Sequence, residues 1–168
     1  MTRDTSARWT SVGSGLVSAY RTVVVGTDGS ESSLRAVRRA GALAGACGAR
    51  LVIVCAYLPS RADGRGARRT QDAPGEGPDQ VVGSAPADDT VQRAAEEAVG
   101  AGAGEVEQMA VVGSPVETLL EVVGRAQADL LVVGNRGLDS LKGRLIGSVP
   151  ADVTRRSSVD VLVVHTTG

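Results

Sequence analysis

The sequence predicts a Rossmann-like α/β fold, a doubly wound five-stranded parallel sheet with strand order 3-2-1-4-5. Three observations point there. Strand-like and helix-like segments alternate from Thr22 to Val164, a pattern that calls for right-handed crossovers and parallel strands. The runs Val23-Val24-Val25 and Leu131-Val132-Val133 lack a polar alternate face, as strands covered by helices on both sides do. Glycines follow both of these runs, the first and fourth predicted strands, at carboxyl ends, where open α/β sheets bind ligands.

The elements follow in order. A Val-rich strand spans Thr22–Gly26, and Ser30 is placed to cap an Ala/Gly-rich helix over Glu31–Cys47. A Val/Ile-rich strand covers Arg50–Tyr57, and the next helix runs from near Asp88 to Ala101. Strand Val106–Val112, helix Pro115–Ala126 and strand Asp129–Gly134 come next. Helix Ser148–Arg156, with Ser148 as a natural N-cap, and strand Asp160–Val164 close the pattern.

At 168 residues and 42% apolar content, the chain suits one domain with a substantial core. The first nineteen residues show no sustained period and read as a disordered tail, leaving a domain over 20–168. Val17 is a candidate initiator read from GTG, in which case no native peptide contains Trp9. Between the second strand and second helix, 59–86 is filled with Gly, Pro, Asp, Arg and Ser. It is too long for an ordinary connection and reads as a flexible insertion.

Composition excludes several functions. Lys+Arg number 18 against 19 Asp+Glu, for a net charge of −1, so no electrostatic case exists for nucleic acid or membrane binding. Trp9, Tyr20 and Tyr57 are the only aromatics, too few for the stacking platforms of single-strand binders. No run reaches transmembrane length and no apolar h-region follows the amino terminus, so a cytoplasmic location is expected. Cys47 and Cys55 lack CxxC spacing and read as small buried residues. His165, the only histidine, has no carboxylate or serine partner nearby in sequence and reads as a strand-end residue. No catalytic residue and no metal ligand set is predicted.

The most informative segment is Gly134-Asn135-Arg136-Gly137, followed after nine residues by Gly147-Ser148. It joins a strand end to a helix start, gathering backbone N–H groups and the positive end of a helix dipole as a phosphate chain requires. Glycine lets the backbone approach closely. Arg136 is a candidate phosphate partner, with Lys142 and Arg144 ranked lower. The first strand ends Val25-Gly26-Thr27-Asp28-Gly29-Ser30. There Asp28 and Ser30 serve either as turn and cap residues or as acceptors beside a bound base or ribose.

On these residues the chain resembles the nucleotide-binding branch of the universal stress protein family. The pattern Gly-x2-Gly-x9-Gly-Ser is met by Gly134, Gly137, Gly147 and Ser148, with support from Val25 to Ser30, Val112 to Pro115 and Val159 to Val164. The resemblance implies an adenine nucleotide, ATP or cyclic AMP, with or without Mg²⁺. It places Gly26, Thr27 and Asp28 near base and ribose, Ala56 and Val133 along the adenine, and Gly134, Arg136, Gly137, Gly147, Ser148 and Val149 around ribose and phosphates. Gly26, where many relatives carry a larger residue, is expected to leave room beside the base and sugar. A homodimer through Asp160 to Val164 is also implied. The expected function is a stress-response sensor or reservoir of the nucleotide. A slow ATPase using Asp28 and a dimeric scaffold for a protein partner are the alternatives.

Overall fold

The computed structural model describes residues 18–60, 81–135 and 148–166. The order of elements is β1 Thr22–Gly26, α1 Glu31–Cys47, β2 Arg50–Leu58, β3 Val81–Val82, α2 Ser84–Gly100, β4 Glu105–Val112, α3 Pro115–Ala126, β5 Leu130–Gly134, α4 Ser148–Arg156 and β6 Asp160–Val164. All pairings are parallel. The long strands lie in the order β4-β2-β1-β5-β6, which is the predicted 3-2-1-4-5 order once the two-residue β3 is set aside.

Alternation along each strand divides the core between the two faces. Val23, Val25, Leu51, Ile53, Leu130 and Val132 pack under α1 and α2. Val24, Val52, Val54, Leu131 and Val133 pack under α3 and α4. Leu34, Leu51, Ile53 and Leu131 are fully buried, each contributing about 1.5–3 kcal/mol by leaving water. The chain winds from β1 through β2 to β4 on one face and returns through α3 to β5 on the other. Its direction therefore reverses between β1 and β5, which opens the crevice where such sheets bind ligands.

Helix ends follow local chemistry. Ser30 caps α1 through a bond from Ser33 N–H at 3.2 Å, and Gly48 ends it in the left-handed region at φ 62°. Gly48 and Ala49 N–H then close onto the Gly45 and Ala44 carbonyls at 3.2 and 2.8 Å. Asp129, expected to begin β5, instead precedes it and accepts the Arg21 and Thr22 N–H groups at 2.6 and 3.1 Å. The pKa of its carboxyl is lowered, chiefly by those two backbone bonds.

Three sequence expectations need correction. Ser18 is ordered by bonds from its hydroxyl to the Tyr20 and Cys47 carbonyls, so the fold reaches two residues into the predicted tail; residues 1–17 lie outside the described residues. The predicted 59–86 insertion is shorter at its carboxyl end: Val81–Val82 pairs with Tyr57 and Leu58, and α2 begins at Ser84 instead of Asp88. Proline is tolerated in a helix's first turn, so Pro86 is a residue of α2 and not of the connection. The Leu58 carbonyl accepts Gly83 N–H and the Tyr57 carbonyl accepts Gly113 N–H. Successive strand carbonyls point to opposite edges, so β3 occupies the lane beside β2 just beyond the end of β1. Cys47 is only partly buried, whereas Cys55 is fully buried. Among the described residues, no helix is long and apolar enough to cross a membrane.

Candidate functional site

The crevice is built from two strand ends and two helix starts. On the β1 side, Thr27 carries the ladder one residue past the strand, its N–H donating to the Val54 carbonyl at 2.9 Å. The Ser33 hydroxyl donates to the Ser30 carbonyl at 3.0 Å, so in the 2.9 Å Thr27–Ser33 contact Thr27 is the donor. Thr27 Oγ1 in turn accepts Gly29 N–H at 3.1 Å. Asp28 Oδ1 accepts Ser30 N–H at 2.9 Å, an Asx turn that fixes the carboxylate at the start of α1. Gly29 has φ 79°, and a Cβ there would stand 3.2 Å from the Thr90 side chain of α2. Glycine is required at this turn for both reasons.

Burial and charge act together on the neighbouring thiol. Cys55 is pushed up to about 11, first by burial and then by the negative charges of Asp28 and Asp88. It is a protonated thiol at neutral pH and therefore no nucleophile.

Gly26, Ala56 and Val133 share one face of the sheet, the one covered by α3 and α4, since they alternate in phase with Val24, Val54 and Leu131. Val133 is buried there. The side chain that Gly26 lacks would point at α3, with a Cβ 3.1 Å from both Leu119 methyls. The room left by this glycine is thus filled by Leu119, which corrects the expectation that it opens space beside a base and sugar.

On the β5 side, a Cβ at Gly134 would meet Thr166, Ser32 and Ala36 at 3.4–3.8 Å, facing the opposite helix layer. Its neighbour Asn135, which the sequence did not single out, is buried at 3% exposure. Asn135 N–H donates to the Val164 carbonyl at 2.9 Å. Asn135 Oδ1 accepts the Thr166 N–H and hydroxyl, each at 2.7 Å. That orients the amide so that Nδ2 donates to His165 Nδ1 at 3.0 Å. The His165 proton therefore sits on Nε2.

Because β5 and β6 are parallel, α4 starts at the same carboxyl end of the sheet. Its positive terminus is presented there. Ser148 is the first described residue of α4, and Val149 packs partly onto the α3 and α4 layer. Arg156 forks onto Glu117 at 2.6 and 3.0 Å, tying α4 to α3. Arg136, Gly137 and Gly147, with Lys142 and Arg144, lie outside the described residues. Among the described residues, no group of three His, Cys, Asp or Glu side chains is placed to hold a metal ion.

The profile of the universal stress protein family matches residues 19–165. The chain belongs to the universal stress protein family. Universal stress protein Rv1636 of Mycobacterium tuberculosis is 52% identical over 151 residues, covering 90% of this chain and all of the relative. A crystal structure of a universal stress protein in complex with cAMP is 49% identical, with a TM-score of 0.69, and covers 89% of this chain and 100% of its own. The structure of MJ0577 from Methanocaldococcus jannaschii, at 20% identity and TM-score 0.65 over 89% of this chain and 98% of its own, shares the fold.

Proposed function

We propose that this universal stress protein binds an adenine nucleotide, cyclic AMP or ATP, across the carboxyl ends of β1 and β5. The observation that carries the reading is the cAMP complex of a relative 49% identical over nearly the whole domain. The Gly134, Gly137, Gly147 and Ser148 pattern of this chain supports it.

In this reading Asp28, held by its Asx turn, and the Gly26 and Thr27 backbone meet base and ribose, while Ala56 and Val133 line the adenine. Gly134, Arg136, Gly137, Gly147, Ser148 and Val149 cradle ribose and phosphates, with the α4 dipole favouring the anion. Any Mg²⁺ would take most of its ligands from the phosphates and water. Among the described residues β6 is the last strand of the sheet, and with Val163 40% exposed this edge supports a homodimer in which β6 pairs with its mate, since an unpaired apolar edge invites association. The cellular role that follows is a cytoplasmic sensor or reservoir of the nucleotide under stress.

Isothermal titration with cyclic AMP and with ATP, each with and without Mg²⁺, tests the reading. Saturable heat with at least one nucleotide, abolished in Gly137→Val, is expected. No heat with either would overturn it.

A further inference from the structure

The two halves of the proposed nucleotide site are separate pieces of chain. One is the Asp28–Ser30 turn leading into α1, the other the strand end Gly134-Asn135 leading into the glycine loop. The β1–β5 pairing that holds them together ends at Val25 and Val132, and beyond it they are linked by a polar bridge centred on Thr166. Ser32, in the first turn of α1, meets Thr166 Oγ1 at 2.5 Å. Thr166 Oγ1 gives its own proton to Asn135 Oδ1, so Ser32 is the donor in that contact. Arg35, in the same helix, donates to the Thr166 carbonyl at 3.0 Å. Thr166 is 5% exposed and Asn135 3%, so the two bonds between them are buried, while the Ser32 and Arg35 contacts are part-buried.

From this geometry we infer that Thr166 and Asn135 are positioning residues for the nucleotide. They set the separation between the Asp28 turn and the start of the glycine loop. The inference rests on the proposed nucleotide site but assigns a function to residues outside its contact set. Thr166 is the keystone: its amide and hydroxyl both bond to Asn135, its hydroxyl accepts from Ser32, and its carbonyl accepts from Arg35. A ligand spanning both halves gains full affinity only when they are already at the right spacing, because any ordering left to the binding step subtracts from affinity.

Thr166→Val keeps the shape of the side chain, removes the hydroxyl and leaves Ser32 and Asn135 each short of one buried partner. Thr166→Ser retains the hydroxyl and serves as the rescue. Val122→Ala, a truncation in the α3 core on the sheet face opposite α1, is the control for general loss of stability. Titration of the full chain with cyclic AMP and with ATP should show Thr166→Val weakened by about tenfold or more. Thr166→Ser and Val122→Ala should stay within about twofold of the wild type.

Three results would overturn the inference alone, provided the wild-type protein binds: unchanged affinity in Thr166→Val, equal weakening in Thr166→Ser, or equal weakening in Val122→Ala. A wild-type protein that binds neither nucleotide overturns the proposed function, and this inference with it.

Discussion

Gly45 of α1 packs directly against the backbone carbonyl of Gly102, just beyond the end of α2, so a Cβ at position 45 would overlap that oxygen. One turn earlier, a Cβ at Gly41 would lie 2.6 Å from the Ala98 carbonyl oxygen. The two glycines form the surface on which α2 crosses α1, and the obstacle is backbone, which cannot swing aside as a side-chain tip can.

Alanine at these sites sets two effects against each other. Helix propensity favours Ala over Gly by about 0.5–1 kcal/mol, whereas overpacking against rigid backbone costs about 1–3 kcal/mol or more. Gly41→Ala and Gly45→Ala are each expected to destabilise. A lower urea midpoint with unchanged slope is the expected result, and a higher midpoint would show that α2 moves away freely.

Gln127 ends α3 in the left-handed region at φ 48°. Its N–H and that of Ala128 close onto the Gly124 and Val123 carbonyls at 3.3 and 3.0 Å. This is the arrangement that Gly48 makes after α1, built on a residue with a Cβ. Relief of roughly 1–2 kcal/mol of left-handed strain should exceed the unfolded-state entropy that glycine adds, at about 0.4–1 kcal/mol. Gln127→Gly is therefore expected to raise stability slightly, by up to about 1 kcal/mol, read as an upward shift in Tm. A fall in Tm would count against this account of the cap.

Gly26 and Leu119 should behave as a coupled pair. The three atoms nearest a Cβ at 26 all belong to the branched end of Leu119, its two methyls first, so Gly26→Ala should cost about 1–3 kcal/mol by overpacking. The cost should shrink when Leu119 is shortened to Val. A double-mutant cycle in urea should give an interaction energy of at least about 0.5 kcal/mol. Additivity would mean that position 26 acts elsewhere.

Asp129 carries a pH prediction. The Arg21 and Thr22 N–H groups hold its folded-state value below the ordinary 3.8. The carboxylate's contribution is thus complete above the unfolded value and is lost as pH falls through the lower folded one. Both N–H groups bond to a single oxygen, and the amide oxygen of an asparagine at this position can take its place. Asp129→Asn should therefore flatten the stability profile below about pH 4 and lower stability near neutrality, where the advantage of the ionised carboxylate over a neutral oxygen is lost. An unaltered acid limb in urea melts would refute this.

The sheet and its five long strands were legible because Val-rich runs bounded by turn residues carry a strong signal, and α1 and α3 were legible through Ser30, Pro115 and their apolar faces. β3 was not: two residues, Val81 and Val82, show no period, and the Ser84-Ala85-Pro86 start of α2 looks like the Gly/Pro-rich stretch before it. Within the site, the Asp28 turn and the Gly134 strand end could be read from residue types alone. Which way Gly26 faces could not, since that depends on strand phase and on Leu119, far away in sequence. The bridge from Asn135 to Thr166 was also hidden, because an Asn after a strand-ending glycine and a Thr near the carboxyl terminus have no local pattern that links them.

The measurement that bears most directly on the account is amide hydrogen exchange of the full chain with and without saturating cyclic AMP. Protection concentrated at residues 26–30, 133–137 and 147–149 is the predicted result. Nucleotide-dependent protection elsewhere, with these three segments unchanged, would contradict the placement of the site at the carboxyl ends of β1 and β5.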